Sequence, residues 1–134
     1  MSRPTVAEIN LTAIKKNLKK LKSLSKDALF YPVVKANAYG HGYKAVTKEI
    51  ESLVHGLSVA TTEEALSVRK ITKKSILCME GPYDLKELNL LIRNQIDLVI
   101  HSHRQIDLLR GIKSLPREIT VSYTHLTLPT TRYV

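Results

Sequence analysis

The sequence has one cysteine, no tryptophan, one phenylalanine and twelve acidic residues against twenty-one lysines and arginines. With Cys78 alone, no disulfide forms within the chain, and a reducing, cytoplasmic compartment is expected. No apolar run approaches the roughly 18 residues that a transmembrane helix needs. The opening Met1-Ser2-Arg3-Pro4-Thr5 lacks the apolar core of a secretory signal, so no export by that route is expected. What is present is a globular composition: 134 residues, 43% hydrophobic and 25% charged. That excludes a disordered or collagen-like chain and suits one domain with a modest core.

The formal charge of +9 is compatible with a nucleic-acid partner, an anionic membrane or an acidic ligand. Six of the lysines, however, fall between Lys15 and Lys26 on one helical pattern. Leu11, Ile14, Leu18 and Leu21 recur there at three- and four-residue spacing and gather into an apolar stripe, leaving the lysines the other faces. No aromatic residue is interleaved for base stacking. A solvated helix face is therefore expected, with no nucleic acid and no membrane as partner.

Beyond that helix the pattern alternates. Apolar strand candidates at 30–34, 57–60, 75–79, 97–100 and 119–121 are each joined to the next by one helical stretch, at intervals of roughly twenty residues. Gly56 reads as the positive-φ close of the helix before it. Thr61 with Glu64 has capping-box spacing, and Asp84 with Glu87 and Ser102 with Gln105 begin the next two helices. Strands that are apolar throughout, joined by helices, are the pattern of βα units around a parallel sheet covered on both faces. A doubly wound open sheet and a (β/α)₈ barrel both fit. A barrel needs about 250 residues, so this chain holds at most about half of one, four units and a stub.

Residues 122–134 break the alternation. They contain four threonines, no acidic residue and no helical period, and Pro129 would interrupt a central strand. The segment resembles the translated read-through of a sequencing adapter and is expected to be unrelated to the domain before it.

The chemistry concentrates in Tyr31-Pro-Val-Val-Lys35-Ala-Asn-Ala-Tyr39-Gly40-His41-Gly42. Lys35 stands where an apolar strand enters a Gly-containing loop, the edge at which parallel α/β folds bind ligands. Partial desolvation there favours the neutral amine that attacks a carbonyl. An ordinary lysine reaching water from a strand end fits the same residues.

The words of the segment go further. Val-Val-Lys-Ala-Asn-Ala-Tyr-Gly-His-Gly resembles the pyridoxal-phosphate attachment motif of the alanine racemase family. Residues 7–18 resemble that family's opening strand and first helix, and Ser58-Val-Ala-Thr-Thr-Glu-Glu-Ala-Leu66 its second barrel strand and following helix start. Ile76-Leu-Cys-Met-Glu-Gly81 and Asp97-Leu-Val-Ile-His101 resemble the third and fourth strands, so that the likeness spans about residues 4–121. It implies an α/β fold that is a partial (β/α)₈ TIM barrel, lacking the later strands and a carboxyl-terminal β domain. Residues 1–10 would be a strand that pairs with that domain, 11–121 the partial cofactor-binding barrel, and 122–134 the unrelated tail. The implied function is a pyridoxal 5′-phosphate-dependent racemase interconverting L- and D-alanine for peptidoglycan precursors, working as a homodimer. The likeness makes Lys35 the covalent attachment point and the base on the D-alanine face, and Tyr39 the hydroxyl that binds the cofactor phosphate. The opposite base is a tyrosine from the partner subunit's β domain.

The family continues past Val121 into a Lys-x-Asp-Thr-Gly-Met segment that this chain lacks. The chain alone is therefore expected to be inactive. A non-catalytic pyridoxal-phosphate carrier and a broad-specificity amino-acid racemase remain as alternatives. Gly40 and Gly42 read as conformational; His41, His101 and His103 are assigned no acid–base role, no metal site is expected, and Cys78 reads as a small buried hydrophobe.

Overall fold

The computed structural model describes residues 5–25 and 27–112, with the backbone alone of 121–122. In chain order the elements are α1 (Leu11–Leu24), α2 (Lys35–Tyr39), α3 (Tyr43–Ile50), a 3₁₀ turn (Glu51–Leu53), β1 (Gly56–Val59), α4 (Thr62–Arg69), β2 (Ser75–Cys78), α5 (Leu85–Arg93), β3 (Asp97–Val99), α6 (His103–Arg110) and β4 (Val121–Ser122). Residues 5–10 are exposed and belong to no strand.

Helices α4, α5 and α6 each start with a side chain that accepts a free backbone N–H, as the first turn requires. Thr61 accepts from Glu64 N and Glu64 returns the bond to the Thr61 backbone, the full capping box. Asp84 accepts from Glu87 N at 2.8 Å and Ser102 from Gln105 N at 3.4 Å. In those two the reciprocal arm is used elsewhere. Glu87 takes the Tyr83 N–H and the Thr62 hydroxyl, while buried Gln105 accepts from His101 N and donates to Glu80 O, tying the end of β3 to the end of β2. Asn10 caps α1, accepting from Ala13 N at 2.9 Å.

The strands run parallel in the order β1-β2-β3-β4, with Leu57 beside Ile76, Cys78 beside Leu98 and Val99 beside Ser122. The expected strand at 30–34 is reduced to a single bridge, Val33 to Ser58. Its ladder is nevertheless in place: Gly56 N donates to Phe30 O, Ser58 N to Pro32 O and Val34 N to Ser58 O. The next bridge, Tyr31 to Gly56, would need an N–H at position 32, and proline has none. Gly56 is also not a helix cap. It opens β1 with no positive φ, and a Cβ there would lie 2.2 Å from the Tyr31 ring and 2.6 Å from Ser75 O. Close packing, not backbone conformation, requires glycine at this position.

Helix α4 packs on β1 and β2, α5 on β3, and the helices touch in sequence, α1 with α3, α3 with α4, α4 with α5. A strand order that never reverses, with consecutive helices side by side, is barrel-type winding. A doubly wound sheet reverses its order and divides its helices between two faces. Between sheet and helices lies one core, in which Leu57, Val59, Ile76, Cys78 and Leu98 meet Ala65, Leu88 and Leu91. β1 and β3 are buried at every residue, as a doubly covered strand should be. β2 alternates: Ile76 and Cys78 are buried, Ser75 and Leu77 half-exposed.

On α1 the apolar stripe is narrower than its spacing suggests. Leu18 is buried and Leu11 and Ile14 pack against the core, but Leu21 is 56% exposed. Two of the lysines are engaged, Lys15 with Glu49 at 2.9 Å and Lys22 with Leu53 O; Lys16, Lys19 and Lys20 lie on the exposed faces.

Candidate active site

Because 30–34 runs parallel to β1, it ends at the carboxyl edge of the sheet. The Val34 N–H donates to Ser58 O at 2.8 Å, Val34 is buried, and Lys35, half-buried, is the first residue beyond it. Among the described residues the Lys35 amine has no hydrogen-bond or ion-pair partner.

The chain then winds the wrong way. Ala36, Asn37, Ala38 and Tyr39 have φ of 49°, 57°, 54° and 52°, with ψ of 48°, 43° and 49° at the first three. α2 is therefore a turn of left-handed helix. In that conformation the Cβ of an L-residue crowds its carbonyl oxygen, at a cost of about 1–2 kcal/mol per residue. Only Asn37 is of a type that visits the region readily; the two alanines and the tyrosine give no signal of it in the sequence. Gly40 and Gly42 complete the loop at φ 84° and 86°, where the sequence does place the residue that suits them. Internal bonds close the turn: Ala38 N to Val34 O, Gly40 N to Ala36 O, Gly42 N to Asn37 O, and Tyr43 N to the Asn37 side chain at 3.0 Å. One bond comes from further away, Ala36 N to Glu64 Oε1 at 2.7 Å.

Lys35 and Tyr39 are thus the two ends of one turn. Tyr39 is 60% exposed, and its hydroxyl has no partner among the described residues. Tyr83 contrasts with it: its hydroxyl donates to Glu80 Oε2 at 2.9 Å, and that bond to a carboxylate pushes the phenol above its ordinary range. Beneath the turn a largely apolar cavity of about 300 Å³ is bounded by Ile14, Leu18, Val34, Ala38, His41 and Ile50. A second, of about 200 Å³, lies under Asn37 and Glu64. Lys35 lines neither.

His41 Nδ1 is 2.9 Å from Ala38 O, inside the loop, and His101 Nε2 is 2.8 Å from Glu80 O at the end of β3. Cys78 is fully buried; desolvation pushes its thiol up to about 11, and its Sγ lies 3.4 Å from Ala60 O. A thiol so protonated is a core side chain, not a nucleophile. Among the described residues no three His, Cys, Asp or Glu gather as a metal-binding group, and no helix is long and apolar enough to cross a membrane.

Residues 9–125 match the family model "Alanine racemase, N-terminal domain". The alanine racemases of Actinobacillus succinogenes and Haemophilus influenzae are 39% and 40% identical over 120 and 121 residues, each alignment covering 89% of this chain and 33% of the relative. In three dimensions the chain is similar to the biosynthetic alanine racemase of Pseudomonas aeruginosa, with a TM-score of 0.82 and 33% identity over 90% of this chain and 34% of that one. The chain spans about a third of the length of the relatives it matches.

Proposed function

The chain belongs to the alanine racemase N-terminal domain family, and from that premise we propose that the protein it is part of interconverts L- and D-alanine with pyridoxal 5′-phosphate carried on Lys35. The observation that carries this reading is an uncommitted primary amine at the carboxyl edge of a barrel-type sheet, entering a strained turn that ends in an uncommitted phenol. These are the two groups the cofactor asks of this part of the fold: a nucleophile for its aldehyde and a donor for its phosphate.

In this reading the Lys35 amine would hold the cofactor covalently and, when free, would take the Cα proton of D-alanine, or in the reverse direction supply it, on that one face of the substrate. Tyr39 would hold the cofactor phosphate by donating its hydroxyl. The bound cofactor supplies a conjugated ring that withdraws the electron pair left at Cα. Racemisation needs a second base on the opposite face of that carbon. Nothing in Lys35 or Tyr39 fills that place, and it falls to a partner subunit in a homodimer. A cytoplasmic location accords with the single, unpaired cysteine.

The test is made on the full-length protein. Incubation with pyridoxal phosphate, reduction with borohydride and peptide mapping should place the label on Lys35, and Lys35→Ala should abolish both the label and D-alanine formation. A label on another residue would overturn the assignment. A label on Lys35 without turnover of any amino acid would make the protein a carrier of the cofactor. Faster turnover of serine than of alanine would make it a racemase of broader range.

A further inference from the structure

We propose that Glu64 is a positioning residue for Lys35, its carboxylate pinning the left-handed turn to the end of β1; the proposal rests on the reading of Lys35 given above. A run of four residues at positive φ does not persist on its own account and needs restraint from surrounding structure. The bonds inside the 34–43 loop close the turn on itself, but they leave its orientation against the sheet open. Glu64 supplies that orientation. Its Oε1 accepts from Ala36 N at 2.7 Å, while Oε2 accepts from Ala60 N at 2.9 Å and Thr61 N at 3.4 Å. One carboxylate thus joins the residue after Lys35 to the residues that follow β1.

The residue before Lys35 is held by the same unit, since Val34 N donates to Ser58 O in β1 at 2.8 Å. Lys35 is flanked by two anchored residues, Val34 bonded to the Ser58 carbonyl of β1 and Ala36 to the Glu64 side chain of α4. Glu64 is itself fixed as the third residue of α4, where its N–H donates to Thr61 Oγ1 at 3.3 Å. The chemistry demands a carboxylate: both oxygens face N–H donors. An amide would offer one acceptor and set its own NH₂ against the other donor. Aspartate, one methylene shorter, would not reach both sides.

The experiment uses the full-length protein and three variants, Glu64→Gln, Glu64→Asp and Thr61→Ala. Hydrogen exchange is followed at the Ala36 amide and at residues 76–78 and 98–99, and pyridoxal phosphate on Lys35 is fixed with borohydride across a pH series. Ala36 is exposed, so its amide is protected in the unaltered protein only if the Glu64 bond is formed. Both Glu64 variants should speed Ala36 exchange by about tenfold or more and lower labelling at limiting coenzyme by about as much, with β2 and β3 unaffected. Thr61→Ala weakens the same cap while sparing the carboxylate, and should leave Ala36 exchange and labelling unchanged.

Three results would overturn the proposal: exchange of Ala36 at the unprotected rate in the unaltered protein, no response to the Glu64 variants, or an equal response to Thr61→Ala. The first decides the matter even if the Glu64 variants do not fold. Absence of label on Lys35 in the unaltered protein overturns the reading of Lys35, and the positioning role with it. Failure of the tether is told apart because labelling of the unaltered protein then persists.

Discussion

Ala36 and Ala38 are the residues whose conformation their type least announces. The motif around Lys35 carries the likeness to the family's cofactor-attachment segment, and Gly40 and Gly42 stand where positive φ is needed, but an alanine carries no mark of left-handed geometry. That conformation is closed by bonds within residues 34–43 and joined by one from beyond the segment, Ala36 N to Glu64. Cys78 is the opposite case, legible from its place in an apolar strand. Burial pushes its thiol from 9.0 to about 11, so the folded state holds the proton more tightly than the unfolded one. The stability this contributes is fully present below about pH 9 and is lost as pH rises toward 11, the loss amounting to about 2 kcal/mol at the upper end. Urea unfolding of the unaltered protein and of Cys78→Ala across that range should show the difference between them shifting in favour of the variant as pH rises. A constant difference would mean that the thiol is not desolvated.

At the scale of elements, the helix starts are the best-read features. Thr61, Asp84 and Ser102 cap as their spacing implies, because an N-cap is a local interaction between residues three apart. The strand at 30–34 is read correctly as extended and pairs with β1, yet Pro32 limits it to one bridge. Gly56 is read wrongly, since the need for a missing side chain arises from Tyr31 and Ser75, distant in sequence. Gly56→Ala is expected to destabilise the fold by about 1–3 kcal/mol, because the tyrosine ring can shift but the Ser75 carbonyl, paired within the sheet, cannot. Chemical denaturation measures this. A variant as stable as the parent would show that β1 and β2 separate more easily than their register suggests.

For the whole molecule, surface decides behaviour. Leu24 is 71% exposed and Leu29 67%, near an extended segment that pairs on one side only, with β1, among the described residues. Apolar surface beside an open strand edge promotes association. The 134-residue chain prepared alone should therefore self-associate as its concentration rises, and Leu24→Lys with Leu29→Lys should reduce that association in sedimentation velocity. A monomer at all concentrations would refute it. The expected strand at residues 1–10 and the boundary of the tail fall partly on residues 1–4, 113–120 and 123–134, outside the described residues, although Ser122 still pairs with Val99.

The amino-acid order by itself determined the alternation of strand and helix, the caps, the parallel sheet and the lysine at its edge, since each rests on periodicity or on neighbours a few residues apart. Periodicity left an open sheet and a barrel both possible, and the family likeness implied the barrel; the tertiary structure shows the winding itself, because that depends on how strands and helices are ordered in space. It alone also showed the left-handed turn and its tie to Glu64, since a strained backbone is held by groups brought close through folding.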